Sequence, residues 1–480
     1  MNQAVSGAAA QALRWRMLQL AGVQLIYFVR LLILARLLAP EAFGLLAIAS
    51  IAVSVLMRLS DFGMIPALVQ RRDATPAQHD AAWTVGLVRA FVVALTLVLL
   101  APLVARLFGE PAAAPIIQAL ALRPLIDASV SIGIAKLTRE LRFRELALIY
   151  VPGAVADIVT AVASAPYIGV WALVAGALAG SAVAAGISYL LAPHRPRFLL
   201  DWTAIAPLIH FGRWVLMASI VALAGTFATQ LAVSRSLGAA ALGLYFLALK
   251  VAFLPIEAAS SVVGAVAFPM FARLRDDAPG TARAFATLLA GLCLLLVPAY
   301  ALLYAVAPGL EQALGERWVG TAPVIRILSI AGVTAILGEL LVPLLMGRGR
   351  ADRTFTLEVV QTGVLLAVLV PALALFALQG AALSWLIGNS AALVVAILWT
   401  RRMLDGVLAA AGRRLATAAV AAAAGAGIAM AVMDRVDGLI GLVIASFAAM
   451  AAAAALMWVS NRLFELRLEE FKVLLFRLRT

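Results

Sequence analysis

The sequence predicts an all-α polytopic membrane protein with about fourteen transmembrane helices. Of its 480 residues, 65% are hydrophobic and only 13% are charged, and the mean hydropathy is +1.06. One soluble core cannot bury so much apolar surface. Apolar stretches of about twenty residues recur along the chain, and a segment in hydrocarbon must pair its own backbone polar groups, which favours helices over strands.

Short turns rich in Gly and Pro separate the apolar stretches, and none is long enough for an extramembrane domain. The first stretch carries Arg30 and lacks a signal-peptide cleavage site, so we expect it to be a signal anchor that is not cleaved. The predicted spans are 17–38, 42–60, 83–105, 116–135, 145–165, 169–191, 211–235, 242–270, 283–306, 321–346, 355–377, 380–400, 414–433 and 438–459.

Loop charge orients these helices. Assigning the loops alternately to two sides puts about 26 of the 37 Lys and Arg residues, with both termini, on one side. The positive-inside rule identifies that side as the cytoplasm. The same rule accounts for the net charge of +13, so no nucleic-acid partner is expected.

A faint repeat links residues 36–46 with residues 235–245 at an offset of 199, as Gly44 and Gly243 illustrate. It predicts two parallel six-helix halves followed by two additional helices, although such matches also arise by chance in an Ala- and Leu-rich chain. The predicted domains are 1–200 and 201–405 for the two halves, 406–460 for the additional helices and 461–480 for a cytoplasmic amphipathic tail.

Signatures of soluble enzymes are missing. The chain has no phosphate-binding glycine loop, no nucleophile elbow, three scattered His residues and one cysteine, Cys293. A membrane glycan polymerase or ligase needs longer outer loops than these. The sequence therefore predicts a transporter with no catalytic residue, no metal and no cofactor.

Ionisable residues inside the spans are the candidate site, because each costs about 2.5–3.5 kcal/mol when it faces lipid at a helix centre. Those nearest the helix ends also have the alternative of reaching the interface. The candidates for a cationic, substrate-binding cavity are Arg30, Arg89, Arg123, Arg213, Lys250 and Arg326. The candidates for coupling or gating are Asp61, Asp127, Asp157, Glu257 and Glu339.

For several of these residues, their spacing along a helix leaves two possible roles open. Arg123 and Asp127 are four residues apart, so they either form a structural pair or contribute to the site. Lys250 and Glu257 share a helix face on which Pro255 is expected to loosen the helix towards a cavity.

Arg30 has no carboxylate three or four residues away, so it needs a partner from another helix or an anionic ligand. Asp157 and Glu339 either couple transport to a cation or proton, or pair with these arginines.

Residues 34–73 resemble the opening of bacterial polysaccharide transporters, the Wzx-like lipopolysaccharide biosynthesis family. The family has an Arg-Leu-Leu run, a Pro-Glu-x-Phe-Gly turn, and an Asp-x-Gly followed by basic residues at this spacing. The matching residues are Arg36, Leu37, Leu38, Pro40, Glu41, Phe43, Gly44, Asp61, Gly63, Arg71 and Arg72.

This resemblance implies a fold like those of MATE and MurJ, within the superfamily of multidrug, oligosaccharidyl-lipid and polysaccharide exporters. It also implies a flippase of the bacterial inner membrane that carries an undecaprenyl-diphosphate-linked oligosaccharide to the periplasmic leaflet by alternating access. Its partners would be this lipid-linked substrate, membrane lipids, and the polymerase and glycosyltransferases of the pathway. The alternatives are a cation-coupled multidrug exporter of the same superfamily and a membrane glycan polymerase or ligase.

Overall fold

The computed structural model confirms an all-α polytopic membrane fold. It describes residues 2–60, 76–194, 197–199, 213–401, 404, 420 and 423–432, and within them it has helices and turns but no strand. Ten helices in this part are long and apolar enough to cross a membrane. The predicted span 438–459 and the tail 461–480 lie outside the described residues.

The chain divides into two compact units, unit 1 (Met1–Gly243) and unit 2 (Leu244–Thr480). The domain boundaries proposed from the sequence stay predictions. In chain order the helices are α1 Asn2–Leu37, α2 Pro40–Leu59, α3 Pro76–Phe108, α4 Ala113–Leu120, α5 Leu122–Ala128, α6 Ile134–Arg139, α7 Phe143–Ile168, α8 Trp171–Leu191, α9 Arg213–Arg273, α10 Ala278–Leu314, α11 Thr321–Gly347, α12 Ala351–Phe376, α13 Leu378–Thr400 and α14 Ala423–Val432.

The 61-residue α9 is two helices joined at Gly238, whose φ of 82° is open to glycine but strained for other residues. The kink falls between the predicted spans 211–235 and 242–270. The sequence had placed a turn there, so these two spans are separate helices as predicted.

The predicted fourth span, 116–135, is not one helix. It is divided into α4, α5 and α6. Pro124 lies in the first turn of α5, where it has no N–H to donate to the carbonyl of Leu120 and its ring crowds that carbonyl. The second break is fixed by the buried Ser131, whose Oγ donates to the Ala192 carbonyl at 2.5 Å and whose N–H donates to Ser188 Oγ at 2.9 Å.

Two matching turns of the repeat contact each other within unit 1. A Cβ added to Gly44 would collide with the carbonyl oxygen of Ala239, and one added to Gly243 would collide with that of Pro40. At the offset of 199, Ala239 is the counterpart of Pro40 and Gly243 that of Gly44. The two contacts are therefore equivalent, because each glycine meets the residue four positions before the glycine of the other copy. This symmetry supports the internal repeat.

A second correspondence, at an offset of 208, relates the α7–α8 hairpin to the α12–α13 hairpin. The turn residues Gly169 (φ 57°, ψ −126°) and Ala377 (φ 47°, ψ −129°) have nearly the same backbone conformation. α4 and α11 begin at Ala113 and Thr321, again 208 residues apart. The changed offset indicates an insertion of about nine residues between the first and later parts of the repeat.

The same close helix packing occurs in both hairpins. A Cβ on Gly180 would lie 2.8 Å from both the Gly153 carbonyl oxygen and Asp157 Cβ. In unit 2, a Cβ on Gly388 would lie 2.6 Å from the Gln361 carbonyl oxygen and 3.0 Å from Leu365 Cβ. Because Gln361 and Leu365 are the counterparts of Gly153 and Asp157, the two contacts are equivalent.

Candidate functional site

An ion pair between α1 and α7 lies inside unit 1. Arg30 Nε is 2.7 Å from Asp157 Oδ1, and the two side chains are 15% and 6% exposed. The opposite charges of the two groups attract each other at this distance. Arg30 Nη2 also donates to the Leu173 carbonyl oxygen of α8 at 3.3 Å. Asp157 is thus the partner from another helix that Arg30 was expected to need.

Small residues on α8 determine where the Asp157 carboxylate lies. A Cβ on Gly176 would be 2.6 Å from Asp157 Oδ1, and one on Gly180 would be 2.8 Å from Asp157 Cβ. Two glycines four residues apart let α8 approach α7 closely, as in many membrane helix pairs. Because neither glycine has a Cβ, the Asp157 side chain can lie directly against α8.

Arg123 and Asp127 form a second, looser pair on α5. Arg123 Nε is 3.6 Å from Asp127 Oδ2, and both side chains are about half exposed. Arg123 also interacts electrostatically with Asp157, and Tyr27 of α1 interacts with all four of these charged groups. The broken fourth span thus brings its charges to the same part of unit 1 as the Arg30–Asp157 pair.

Unit 2 has a separate polar group between α9, α10 and α11. Ser260 Oγ donates to Glu339 Oε2 at 2.7 Å. Tyr300 is 1% exposed, packs on Gly332 and interacts electrostatically with Glu339 and with Glu257. Among the described residues no cation pairs with Glu339, so the alternative in which Glu339 neutralises one of the candidate arginines has no support there.

The helix α9 continues through Pro255, which removes one backbone hydrogen bond there. The loosening towards a cavity stays a prediction. Lys250 and Glu257 are exposed on α9, and Lys250 Nζ lies 5.8 Å from the centre of the Phe246 ring. Within the described part of the chain they form no ion pair with each other.

Of the remaining candidates, Arg89 lies within α3, Arg326 lies near the start of α11, and two have no described side chain. Arg89 Nη1 donates to the Ser60 carbonyl oxygen at 3.4 Å, and Arg326 Nε donates to that of Tyr304 at 3.2 Å. Asp61 is not among the described residues, and the side chain of Arg213 is not described either.

Sequence reasoning missed the parts of the site that have no charge. The Leu173 carbonyl, the two glycines of α8, Ser260 and Tyr300 carry no pattern that distinguishes them in an apolar chain. Only the spacing of Gly176 and Gly180 was a usable signal, since glycines four apart mark close helix pairs. No group of three or more His, Cys, Asp or Glu side chains suited to a metal ion occurs among the described residues.

A polytopic helical bundle with charged side chains in its interior is typical of membrane transport proteins, in which such charges often mark a substrate or ion pathway. The fold matches that of the lipid II flippase MurJ in an inward closed conformation, with a TM-score of 0.71, 10% identity, and coverage of 93% of this chain and 98% of MurJ. It also matches an inward-facing multidrug resistance MATE family transporter of the MOP superfamily, with a TM-score of 0.64, 17% identity, and coverage of 80% and 96%.

The chain belongs to the polysaccharide biosynthesis protein family, whose model matches residues 33–323. It is 28% identical over 341 residues to the lipopolysaccharide biosynthesis protein WzxC of Escherichia coli K12, covering 70% of this chain and 69% of WzxC. It is 27% identical over 345 residues to the succinoglycan biosynthesis transport protein ExoT of Rhizobium meliloti, covering 71% and 69%. The resemblance seen in residues 34–73 is confirmed.

Proposed function

We propose that this protein is a flippase for an undecaprenyl-diphosphate-linked oligosaccharide, an O-antigen or exopolysaccharide repeat unit. It moves this cargo from the cytoplasmic to the periplasmic leaflet by alternating access. Membership of the polysaccharide biosynthesis family supports the glycan. The observation that carries the mechanism is Arg30, a guanidinium at membrane depth that forms an ion pair with Asp157 and, among the described residues, with no other carboxylate.

Arginine suits a diphosphate because its planar guanidinium can bind two phosphate oxygens at once. Asp157 lies at Nε of Arg30, and the Leu173 carbonyl takes one N–H of Nη2. Among the described residues Nη1 has no hydrogen-bond partner. The outer edge of the guanidinium is therefore available for a phosphate group, and Arg123 supplies a second cation in the same part of unit 1.

The loop charges favour a bacterial inner-membrane protein with both termini in the cytoplasm. In that orientation the cargo enters from the leaflet where lipid-linked sugars are assembled. Glycosyltransferases would supply the cargo and a polymerase would consume it, which makes these enzymes the expected partners.

Deleting the gene should make lipid-linked repeat units accumulate on the cytoplasmic leaflet and remove the surface polysaccharide. Wild-type protein should restore export. Arg30→Gln should reduce it at least tenfold at equal protein level, because the guanidinium that binds phosphate is lost. The measurement is labelled glycan at the cell surface and in the lipid fraction.

The matched control is Arg350→Gln, which removes an arginine from the exposed pair with Asp352. It should export normally. Normal surface polysaccharide in the deletion strain, without accumulated intermediates, would refute the flippase. A drug-sensitive deletion strain with normal polysaccharide would favour the multidrug exporter instead.

Glu339 is the proposed coupling residue of unit 2, because its carboxylate lies in the bundle without a cationic partner among the described residues. Glu339→Gln keeps an oxygen that can accept the Ser260 hydrogen bond but cannot take up a proton or hold a cation. Export driven by an imposed proton or sodium gradient should fall at least tenfold in membrane vesicles, while the melting temperature stays within about 3 °C of wild type. Unchanged gradient-driven export would exclude this role.

A further inference from the structure

The internal repeat shows which charges the fold does not require. At offsets of 199 and 208, the counterpart of Arg30 is Thr229, and that of Asp157 is Leu365. The counterparts of Arg123 and Asp127 are both alanine, Ala331 and Ala335. In unit 1 Asp157 packs against Gly180, and in unit 2 Leu365 packs in the same way against Gly388. Close packing of this hairpin therefore does not need a carboxylate, and the four charges are specific to unit 1.

Asp157 contacts the Arg30 guanidinium at Nε. Arg30 Nε is 2.7 Å from Asp157 Oδ1, and Arg30 Nη2 donates to a backbone carbonyl, that of Leu173, at 3.3 Å. A buried arginine without any counter-ion is costly, so the empty site needs an anion beside Arg30. An aligned, two-pronged phosphate contact would bind the same guanidinium more strongly than this pair does.

Resting on the flippase proposed above, we infer that Asp157 is a displaceable counter-ion of Arg30, for which the anionic diphosphate of the cargo substitutes. In the empty protein Asp157 neutralises Arg30. When the diphosphate binds, it takes over the guanidinium. Asp157 stays nearby, because its side chain is short and its backbone packs closely on α8 at Gly176 and Gly180.

The Asp157 carboxylate that stays beside Arg30 affects release of the cargo. Two anions then lie beside one arginine, and their repulsion weakens binding and favours release of the diphosphate. Arg123 offsets part of this repulsion through its interaction with Asp157. Asp157 thereby keeps the cargo from binding too tightly to be released on the other side.

The change in anion affinity when Asp157 is replaced separates this role from a structural one. A residue that only holds Arg30 in place would, when lost, weaken binding of an anion. A counter-ion would, when lost, strengthen it. Asp157→Asn should therefore bind a prenyl diphosphate roughly tenfold or more tightly, by removing a like charge at close range.

The experiment uses the full chain in lipid nanodiscs with farnesyl diphosphate as the probe and farnesol as the uncharged comparison. Asp157→Asn should lower the Kd for farnesyl diphosphate at least tenfold, slow its dissociation, and leave farnesol binding unchanged. In cells the variant should export more slowly because release is slower. The matched control, Asp352→Asn, removes an aspartate from the exposed pair with Arg350 and should leave the Kd within twofold of wild type.

Arg30 provides the internal check. In an Arg30→Gln background, Asp157→Asn should no longer tighten binding, because without the guanidinium the diphosphate is not held close enough to residue 157 to be repelled by it. Tightening that persists without Arg30 would overturn the inference, and so would an unchanged or weaker Kd in Asp157→Asn alone. If wild type binds farnesyl diphosphate no better than farnesol, both the flippase and this inference fail.

A poorly folded Asp157→Asn variant also gives an answer. Inorganic pyrophosphate in the purification buffer should then restore folded protein, because an external anion replaces the missing counter-ion. Asp157→Leu, which installs the residue found in the related hairpin, should respond in the same way. Failure of pyrophosphate to rescue either variant, while Arg30→Gln/Asp157→Asn folds normally, would overturn the inference.

Discussion

Arg30→Gln is expected to destabilise the protein by about 3–5 kcal/mol, the cost of leaving a buried charge without its partner. The charge left behind is Asp157, whose side chain is 6% exposed and lies against Gly176 and Gly180 of α8. Asp157→Asn should be destabilising for the reciprocal reason. The double variant should lose much less than the sum of the two, because no charge then remains unpaired.

A double-mutant cycle on the free energy of unfolding in detergent measures this coupling. The control cycle uses Arg350 and Asp352, an ion pair in which each side chain is about half exposed. Exposed pairs contribute about 0–1 kcal/mol, so that cycle should show little coupling. Additive losses at Arg30 and Asp157 would mean that the two side chains do not depend on each other in the folded protein.

Gly44→Ala is expected to destabilise the protein by about 1–3 kcal/mol, the usual cost of overpacking, and Gly243→Ala should do the same. The reason is that the atoms next to each glycine belong to the backbone and cannot move aside for a methyl group. Each added methyl group would meet a backbone carbonyl, of Ala239 in one case and of Pro40 in the other. A flexible side chain could move aside, but a carbonyl in a helical turn cannot.

Gly86→Ala is the control, since Gly86 lies within α3 and a Cβ there has no other atom within 4 Å. It should stabilise the protein, by up to about 1 kcal/mol, because alanine is the better helix former. Melting temperatures of the three variants provide the comparison. Equal shifts at Gly44 and Gly86 would show that the turn contact does not restrict the chain.

The helices were readable from the sequence because each is a long apolar run between turn formers. The fourth span shows the limit of that reading. Its composition is that of a continuous helix, and its counterpart α11 is continuous, but Pro124 and the hydrogen bonds of Ser131 break it. Those hydrogen bonds reach the end of α8, and a partner so distant in sequence leaves no periodic pattern.

The candidate site was predicted only in outline. The need of Arg30 for a distant partner followed from its lack of a nearby carboxylate. Which carboxylate would serve did not follow, because Asp157 and Glu339 are equally isolated in their spans. Helix packing decides between them, and it depends on glycines that resemble the rest of this chain in composition.

The contact of Gly44 and Gly243 with each other's turns has the form of the isologous interface in a two-fold homodimer, where one patch serves both partners. Joined in one chain, the two copies no longer have to be identical. Both keep the glycine that lets the turns meet, while only one acquired the arginine and aspartate buried beside its helices. A true homodimer would have to carry that ion pair twice or not at all.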